Sequence, residues 1–301
     1  MCLCGSVANF NMIDLHCHIL PGVDDGPKNL DESLEMVRIF IKAGYRQVVA
    51  TAHQVPGTTW MLSIEETRNK LAELNQAIKI EGIELDVLPG MEIAFDPLIP
   101  DLLGKGQLLT LGKTSYVLIE TPFQQLPLGW EQVVFAILSK GYFILMAHPE
   151  RCAQLAANLQ LVDRLIESGV YLQVNWDSFL GYHGRAALRM AHYLAECGCI
   201  HCLATDSHNP QERHAAHVKL AAAKIQKLIG RENLQRIAIE NPLRILRNTH
   251  PLPMMTPMRL RLAGVTVNWA SARACWVSAR ASWVTRAMRR ASRRPNRPTG
   301  S

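Results

Sequence analysis

The chain has 301 residues, 48% of them hydrophobic and 19% charged, enough to bury one sizeable core. No apolar run reaches the roughly 18 to 20 residues of a membrane-spanning helix, and the start lacks a basic region followed by an apolar stretch, so a cytoplasmic protein is expected. The net charge of +6 is local: residues 251–301 hold ten arginines and no acid, leaving 22 basic against 26 acidic residues before them and no basic body surface for nucleic acid.

The first eleven residues read as an extension, because the patterned chain begins at Met12. From there, seven short apolar runs rich in β-branched residues predict buried strands over 12–18, 45–53, 85–93, 116–121, 142–148, 170–175 and 200–208. Between them, apolar residues at three- and four-residue spacing predict helices over 31–43, 64–80, 130–139, 159–168, 185–196 and 211–229. Ser63 with Glu66 forms a capping-box pattern, and Gly44, Gly82, Gly141, Gly169 and Gly198 fall where helices should stop. Strands apolar throughout and alternating with helices predict an α/β fold with a parallel sheet, either an incomplete βα barrel or an open doubly wound sheet. The domain is expected over 12–248. Residues 249–301 read as a disordered basic tail, with the phrase Ser-Ala-Arg-Ala-(Cys/Ser)-Trp-Val at 271–277 and again at 278–284.

Polar residues concentrate at the strand ends: His16-Cys17-His18, His53, Glu92, Glu120, His148 and Asp206-Ser207-His208. Singly, each is best read as a surface or capping residue. Together they change the reading, because the C-terminal strand ends of βα folds converge on one face. His16 and His18 lie two apart on a strand and share a side, as do Asp206 and His208. Burying so many ionisable groups without a cation would cost several kcal/mol for each unpaired charge, so a multinuclear metal site is expected. Imidazole with carboxylate suits Zn²⁺, Mn²⁺ or Fe²⁺.

Met-Ile-Asp-Leu-His-Cys-His at 12–18, Asp-Asp-Gly at 24–26, Leu-Pro-Gly-Met-Glu at 88–92, Ala-His-Pro-Glu-Arg at 147–151 and Thr-Asp-Ser-His-Asn at 205–209 stand in this order. Over residues 12–248 they resemble the PHP-domain protein-tyrosine phosphatases of bacterial capsule and exopolysaccharide operons. The resemblance implies a distorted seven-stranded βα barrel (PHP fold) and three divalent ions, Mn²⁺ first and Fe²⁺ or Zn²⁺ as alternatives. By position, His16, His18, Glu92 and Asp206 would hold one ion, with Glu92 bridging to a second completed by Glu120 and His148. Asp25, His53 and His208 would hold the third, Asp25 being preferred to Asp24 because it adjoins Gly26. Arg151 and Arg213 would clamp phosphate oxygens. The implied substrate is the phosphorylated tail of a bacterial tyrosine autokinase. One departure is Gln54-Val55 after His53, where the family commonly has a second histidine or a basic residue.

A metal-activated hydroxide would attack phosphorus, and a phenol of pKa about 10 needs little protonation to depart. No cysteine has an arginine six positions later, which excludes the thiolate-loop mechanism of other tyrosine phosphatases. Gly106 to Thr114 imitates a phosphate-binding loop with one residue too many, and Cys197, Cys199 and Cys202 read as core or junction thiols, reduced like the other cysteines of the eight. Two alternatives remain open in sequence: a PHP phosphatase of a small phosphomonoester such as histidinol phosphate, and a non-catalytic PHP metal-binding module. Membrane contact through the basic tail, with Trp269, Trp276 and Trp283 seven apart, and assembly as a homo-oligomer also stay open.

Overall fold

The computed structural model describes residues 12–211, 215–255, 261–262 and 265–266. In chain order the strands are β1 (Met12–Cys17), β2 (Tyr45–Ala50), β3 (His53–Gln54), β4 (Asp86–Pro89), β5 (Glu92–Ala94), β6 (Tyr116–Glu120), β7 (Phe143–Ala147), β8 (Tyr171–Asn175) and β9 (Cys202–Ala204). The helices are α1 (Leu30–Ala43), α2 (Ile64–Ile80), α3 (Ile99–Gly104), α4 (Trp130–Ser139), α5 (Ala153–Ala157), α6 (Gln160–Glu167), α7 (Gly184–Glu196), α8 (Val218–Ile229), α9 (Arg231–Gln235) and α10 (Asn241–Leu246).

Local chemistry sets the ends of the first two helices. At α1 the Asn29 side chain accepts from the Glu32 N–H at 3.0 Å, and Gly44 ends the helix at φ 103°. At α2 the Ser63 and Glu66 side chains each accept from the other's backbone N–H, at 3.1 and 2.8 Å. Their apolar faces, Leu34, Val37 and Phe40 on α1 and Leu74 and Ile78 on α2, are buried. The last of the predicted helices starts later than its periodicity suggests. Asn209 accepts from the Gln211 N–H in a tight turn, a 3₁₀ turn follows at Ala215–His217, and α8 begins only at Val218.

All neighbouring strands of the domain are parallel. β2 with β3, and β4 with β5, are two strands each kinked midway, since the pairing runs on from Ala50↔Pro89 to His53↔Glu92 without a shift. The second kink needs Gly90, where a Cβ would stand 2.5 Å from Val49 Cγ1. The ring then closes between its ends: Cys17 bridges Ser207, the Asp206 N–H donates to His16 O at 2.9 Å, and the His18 N–H donates to Ser207 O at 2.8 Å. This is the distorted βα barrel, not the open sheet.

The interior below the closure is apolar. Ile13, Leu15, Val49, Tyr116, Leu118, Leu145, Ala147, Tyr171 and Cys202, from strands around the ring, form one cluster that Leu111 and Ile245 cap. Each fully buried side chain of this kind stabilises the fold by about 1.5–3 kcal/mol. Five cysteines among the described residues, Cys17, Cys152, Cys197, Cys199 and Cys202, are buried free thiols.

Residues just past the predicted end of the domain also pack on it. The Tyr116 hydroxyl donates to Thr249 O at 3.1 Å, Asn241 bonds both ways with the Leu252 backbone, and Met254 is buried. Pro257–Ser301 forms a separate unit, in which Arg261–Leu262 pairs antiparallel with Val265–Thr266. The extension at 1–11 and most of the expected disordered tail lie outside the described residues. Among the described residues no helix is long and apolar enough to cross a membrane.

Candidate metal centre

β1 aims two histidines into the barrel by breaking its own alternation. Strict alternation would send Leu15 and His16 to opposite faces. The pairing with β2 slips between Asp14 and Cys17, so a one-residue bulge lets Leu15 pack in the core while His16 and His18 meet in the layer above. Asp14 holds this distortion. It is wholly buried and accepts from the His16 and Thr205 N–H groups at 3.0 and 3.1 Å, and burial pushes its carboxyl up to about 6. His148 and Asp206 reach the same layer from left-handed backbone, at φ 36° and 52°, a conformation that costs energy for non-glycine residues.

Hydrogen bonds fix the tautomers. Asp206 Oδ2 can only accept, so Asn175 Nδ2 donates to it at 2.8 Å. Asn175 Oδ1 therefore accepts from Gln173 Nε2 at 2.7 Å, and Gln173 Oε1 accepts from His16 Nδ1–H at 2.9 Å. His18 Nδ1–H donates to Asp24 Oδ2 at 2.8 Å, and His208 Nδ1–H to Asp206 O at 2.8 Å. Each of these three imidazoles then presents a bare Nε2 to the centre.

Three of the converging atoms have the spacing of a metal's ligands, and a fourth stands beside two of them. His16 Nε2 and His18 Nε2 are 3.2 Å apart, each is 3.2 Å from Glu92 Oε2, and they lie 3.3 and 3.4 Å from Asp206 Oδ1. An ion bonded to His16 Nε2, His18 Nε2 and Glu92 Oε2 at about 2.0–2.1 Å, the bonding distance of a divalent ion to nitrogen or oxygen, would sit just off the plane of that triangle. Without a metal ion, the two carboxylates can be balanced there by protons on the imidazoles; burial opposes those protons, but the acids push both imidazole pKa values upward. Glu92 Oε2 also stands 3.1 Å from His53 Nδ1, and both atoms are buried with no aligned hydrogen bond. His148 Nε2 lies 2.9 Å from Glu92 Oε1, while its Nδ1 has no partner. These orphaned atoms fit a polynuclear metal centre.

The sequence-predicted ligands all come together. Groups within ligating reach of one point are His16, His18 and Glu92; His16, His148 and Asp206; His53, Glu92 and Glu120; and His18, Asp25, His53 and His208. Glu120 thus groups with His53, and His148 with His16 and Asp206. Asp25 Oδ1 lies 3.3 Å from His208 Nε2 and 3.5 Å from His53 Nε2. Asp24 takes another part: it orients His18 and accepts from the Gly26 and His53 N–H groups at 3.0 Å each. Gly26 is required, since a Cβ would fall 2.8 Å from His18 O. Arg151 donates to Asp206 Oδ2 at 3.0 Å, whereas Arg213 lies outside the described residues.

The field inside the layer is strong. Burial opposes ionisation of Glu92 and Asp206, yet His16 and the imidazoles beside it hold both well below the usual carboxylate range. Burial likewise opposes charge on His18, but Asp24 leads a set of acids that raises it well above the ordinary imidazole value. His53 is pushed down to about 4 by burial and by His18. Burial and the Glu92 charge push Glu120 up to about 6; burial also opposes ionisation of Asp25, but His208, His18 and His53 together draw it down to about 2.

Sequence reasoning missed the supporting residues Asp14, Asp24, Gln173 and Asn175. It also missed two rim aromatics, Trp60 stacked on His53 and Phe123 stacked on His148.

Fold and site define a parallel βα barrel that carries a histidine–carboxylate metal centre at the C-terminal ends of its strands. The chain belongs to the capsular polysaccharide synthesis CpsB/CapC family, whose profile matches residues 12–247. Tyrosine-protein phosphatase YwqE of Bacillus subtilis is 37% identical over 237 residues, 79% of this chain and 92% of that protein. Tyrosine-protein phosphatase CpsB of Streptococcus pneumoniae is 30% identical over 248 residues, 78% of this chain and 98% of that protein. A crystal structure from a study of these two proteins, described as unique metal-dependent tyrosine phosphatases, matches with a TM-score of 0.78 and 35% identity, covering 83% of this chain and all of that one.

Proposed function

We propose that this protein is a cytoplasmic, metal-dependent protein-tyrosine phosphatase that acts on the phosphorylated tail of a bacterial tyrosine autokinase and so regulates capsular or exopolysaccharide synthesis. The observation that carries the reading is the triangle of His16 Nε2, His18 Nε2 and Glu92 Oε2, whose 3.2 Å edges suit the coordination shell of a divalent ion, with Asp206 Oδ1 3.3 and 3.4 Å from the two imidazoles. The kinship with tyrosine-protein phosphatases over nearly the whole domain supports the substrate class.

By the family resemblance His16, His18, Glu92 and Asp206 would hold one ion, Glu92 would be shared with a second beside Glu120 and His148, and Asp25, His53 and His208 would take a third, with Mn²⁺ the leading candidate. Bound there, such ions acidify water and screen phosphoryl oxygens. Gln173, Asn175 and Asp24 keep the imidazole lone pairs aimed inward. Arg151, tied to Asp206 and lying over Phe123, keeps further N–H donors for phosphoryl oxygens. Arg213 is proposed as a second clamp.

Phosphate release from a tyrosine-phosphorylated kinase-tail peptide by manganese-loaded protein tests this, with histidinol phosphate as competitor. Metal-dependent hydrolysis that is lost in His148→Ala and Arg151→Ala is expected. Hydrolysis of the small ester alone would overturn the substrate assignment, and bound metal with no turnover of either would overturn the enzyme reading.

A further inference from the structure

Two large aromatic side chains are exposed where a folded chain would ordinarily hide them. Trp60, 38% exposed, comes from the loop between β3 and α2, and Phe123, 45% exposed, from the loop after β6. Each lies against an imidazole of the metal centre: Trp60 is parallel to His53 within 9° at 5.1 Å, and Phe123 stacks on His148 at 5.8 Å. The Arg151 guanidinium sits 4.6 Å from the Phe123 centroid. His53 and His148 approach the two oxygens of one carboxylate, Glu92, so both aromatics border the same pair of ligand groups.

We infer that Trp60 and Phe123 form an aromatic clamp that reads the phenyl ring of the substrate and makes the site selective for aryl over alkyl phosphates. This rests on the phosphatase reading and adds its specificity determinant. The ligand floor is wholly buried, with His16, His18 and Glu92 inaccessible. A phosphoryl group reaching that floor must carry its ester past the rim. A phenyl ring supplies the length and offers a flat face or edge to exposed aromatics. A serine ester is one ring shorter and would press the peptide backbone against both side chains. Holding each clamp residue on a ligand imidazole fixes it in place before substrate arrives, so little ordering is left to do on binding.

The test uses manganese-loaded full-length protein with Trp60→Leu and Phe123→Leu, which keep apolar bulk without a ring. Two readouts are taken: kcat/KM on phosphotyrosyl against phosphoseryl peptide, and calorimetric affinity for benzylphosphonate against ethylphosphonate, with bound manganese measured alongside. Each variant should lower the phosphotyrosyl kcat/KM and the benzylphosphonate affinity by about tenfold and leave the alkyl ligands and the metal content nearly unchanged. Equal losses on aryl and alkyl ligands, or loss of manganese, would overturn the clamp and leave the two rings as covers for the histidines. Turnover of phosphotyrosine without any aryl preference in the phosphonates would overturn the clamp alone. Preference for benzylphosphonate without turnover would support the clamp and overturn the phosphatase reading.

Discussion

The two ends of the barrel interior are built on opposite terms from the same strands. At the lower end Ile13, Leu15, Leu118, Leu145 and Tyr171 fill the ring with apolar side chains packed against one another. At the upper end the same strands, or the residues that follow them, deliver His16, Glu92, Glu120, His148 and Asp206, with orphaned lone pairs, left-handed backbone and strongly displaced pKa values. The lower layer supplies stability that the upper layer spends on holding like groups together. Folding and chemistry are thus stacked along one axis, and substitutions in the two layers should have separable effects.

The largest effect belongs to the upper layer. His16→Ala should lower kcat/KM by about a thousandfold or more, and added Mn²⁺, which should raise the Tm of the wild type, should leave that of the variant unchanged; thermal melts with and without metal check this. In the lower layer, Leu118→Ala should cost about 2–5 kcal/mol in urea unfolding of the metal-free protein. It should keep both its manganese stoichiometry and the metal-induced rise in Tm. A Leu118→Ala protein that loses metal would break the separation of layers.

A smaller effect is expected one shell out, where Asp24→Asn removes the anion that fixes the His18 tautomer. Manganese affinity should fall by about ten- to a hundredfold in competition with a chelator, while the metal-free fold stays intact.

The smallest effect is a pH slope. Glu120 titrates at about 6 in the metal-free fold, above its ordinary value of 4.5. The folded state therefore holds the proton longer than the unfolded chain, and this group's contribution to stability is present below about 4.5 and lost as pH rises through about 6. Metal binding needs the carboxylate, so apparent affinity should rise with pH toward 6, by at most about tenfold per unit from this group. Glu120→Gln should flatten that part of the slope in titrations between pH 5 and 7, and an unchanged slope would remove Glu120 from the centre.

Much of this layering was legible in the chain. The apolar runs and their polar ends located the strands and every residue of the four candidate ligating groups except Asp25, which only the family resemblance supplied, because burial and strand termination are local signals. Closure of the barrel was not, since it depends on Cys17 meeting Ser207 across the whole domain. The division of labour between Asp24 and Asp25 depends on which carboxylate the Gly26 turn folds back onto His18. Trp60 and Phe123 carried no periodic signal, because they lie in loops whose positions are set by the strands before them. The late start of α8 reflects a competing turn at Asn209 that helical spacing does not register.

The single extra residue in β1 acts as a phase shifter. Upstream of it, odd-numbered side chains look into the barrel; downstream, even-numbered ones do. Straightening the strand at its present length would restore the regular rhythm and turn both histidines toward the helices; the extra residue is what lets Leu15 and His16 both look inward. The boundary between an inert hydrocarbon plug and a reactive mouth is therefore drawn by one unit of chain length, so changes in length here should be tolerated far less than changes in side chain.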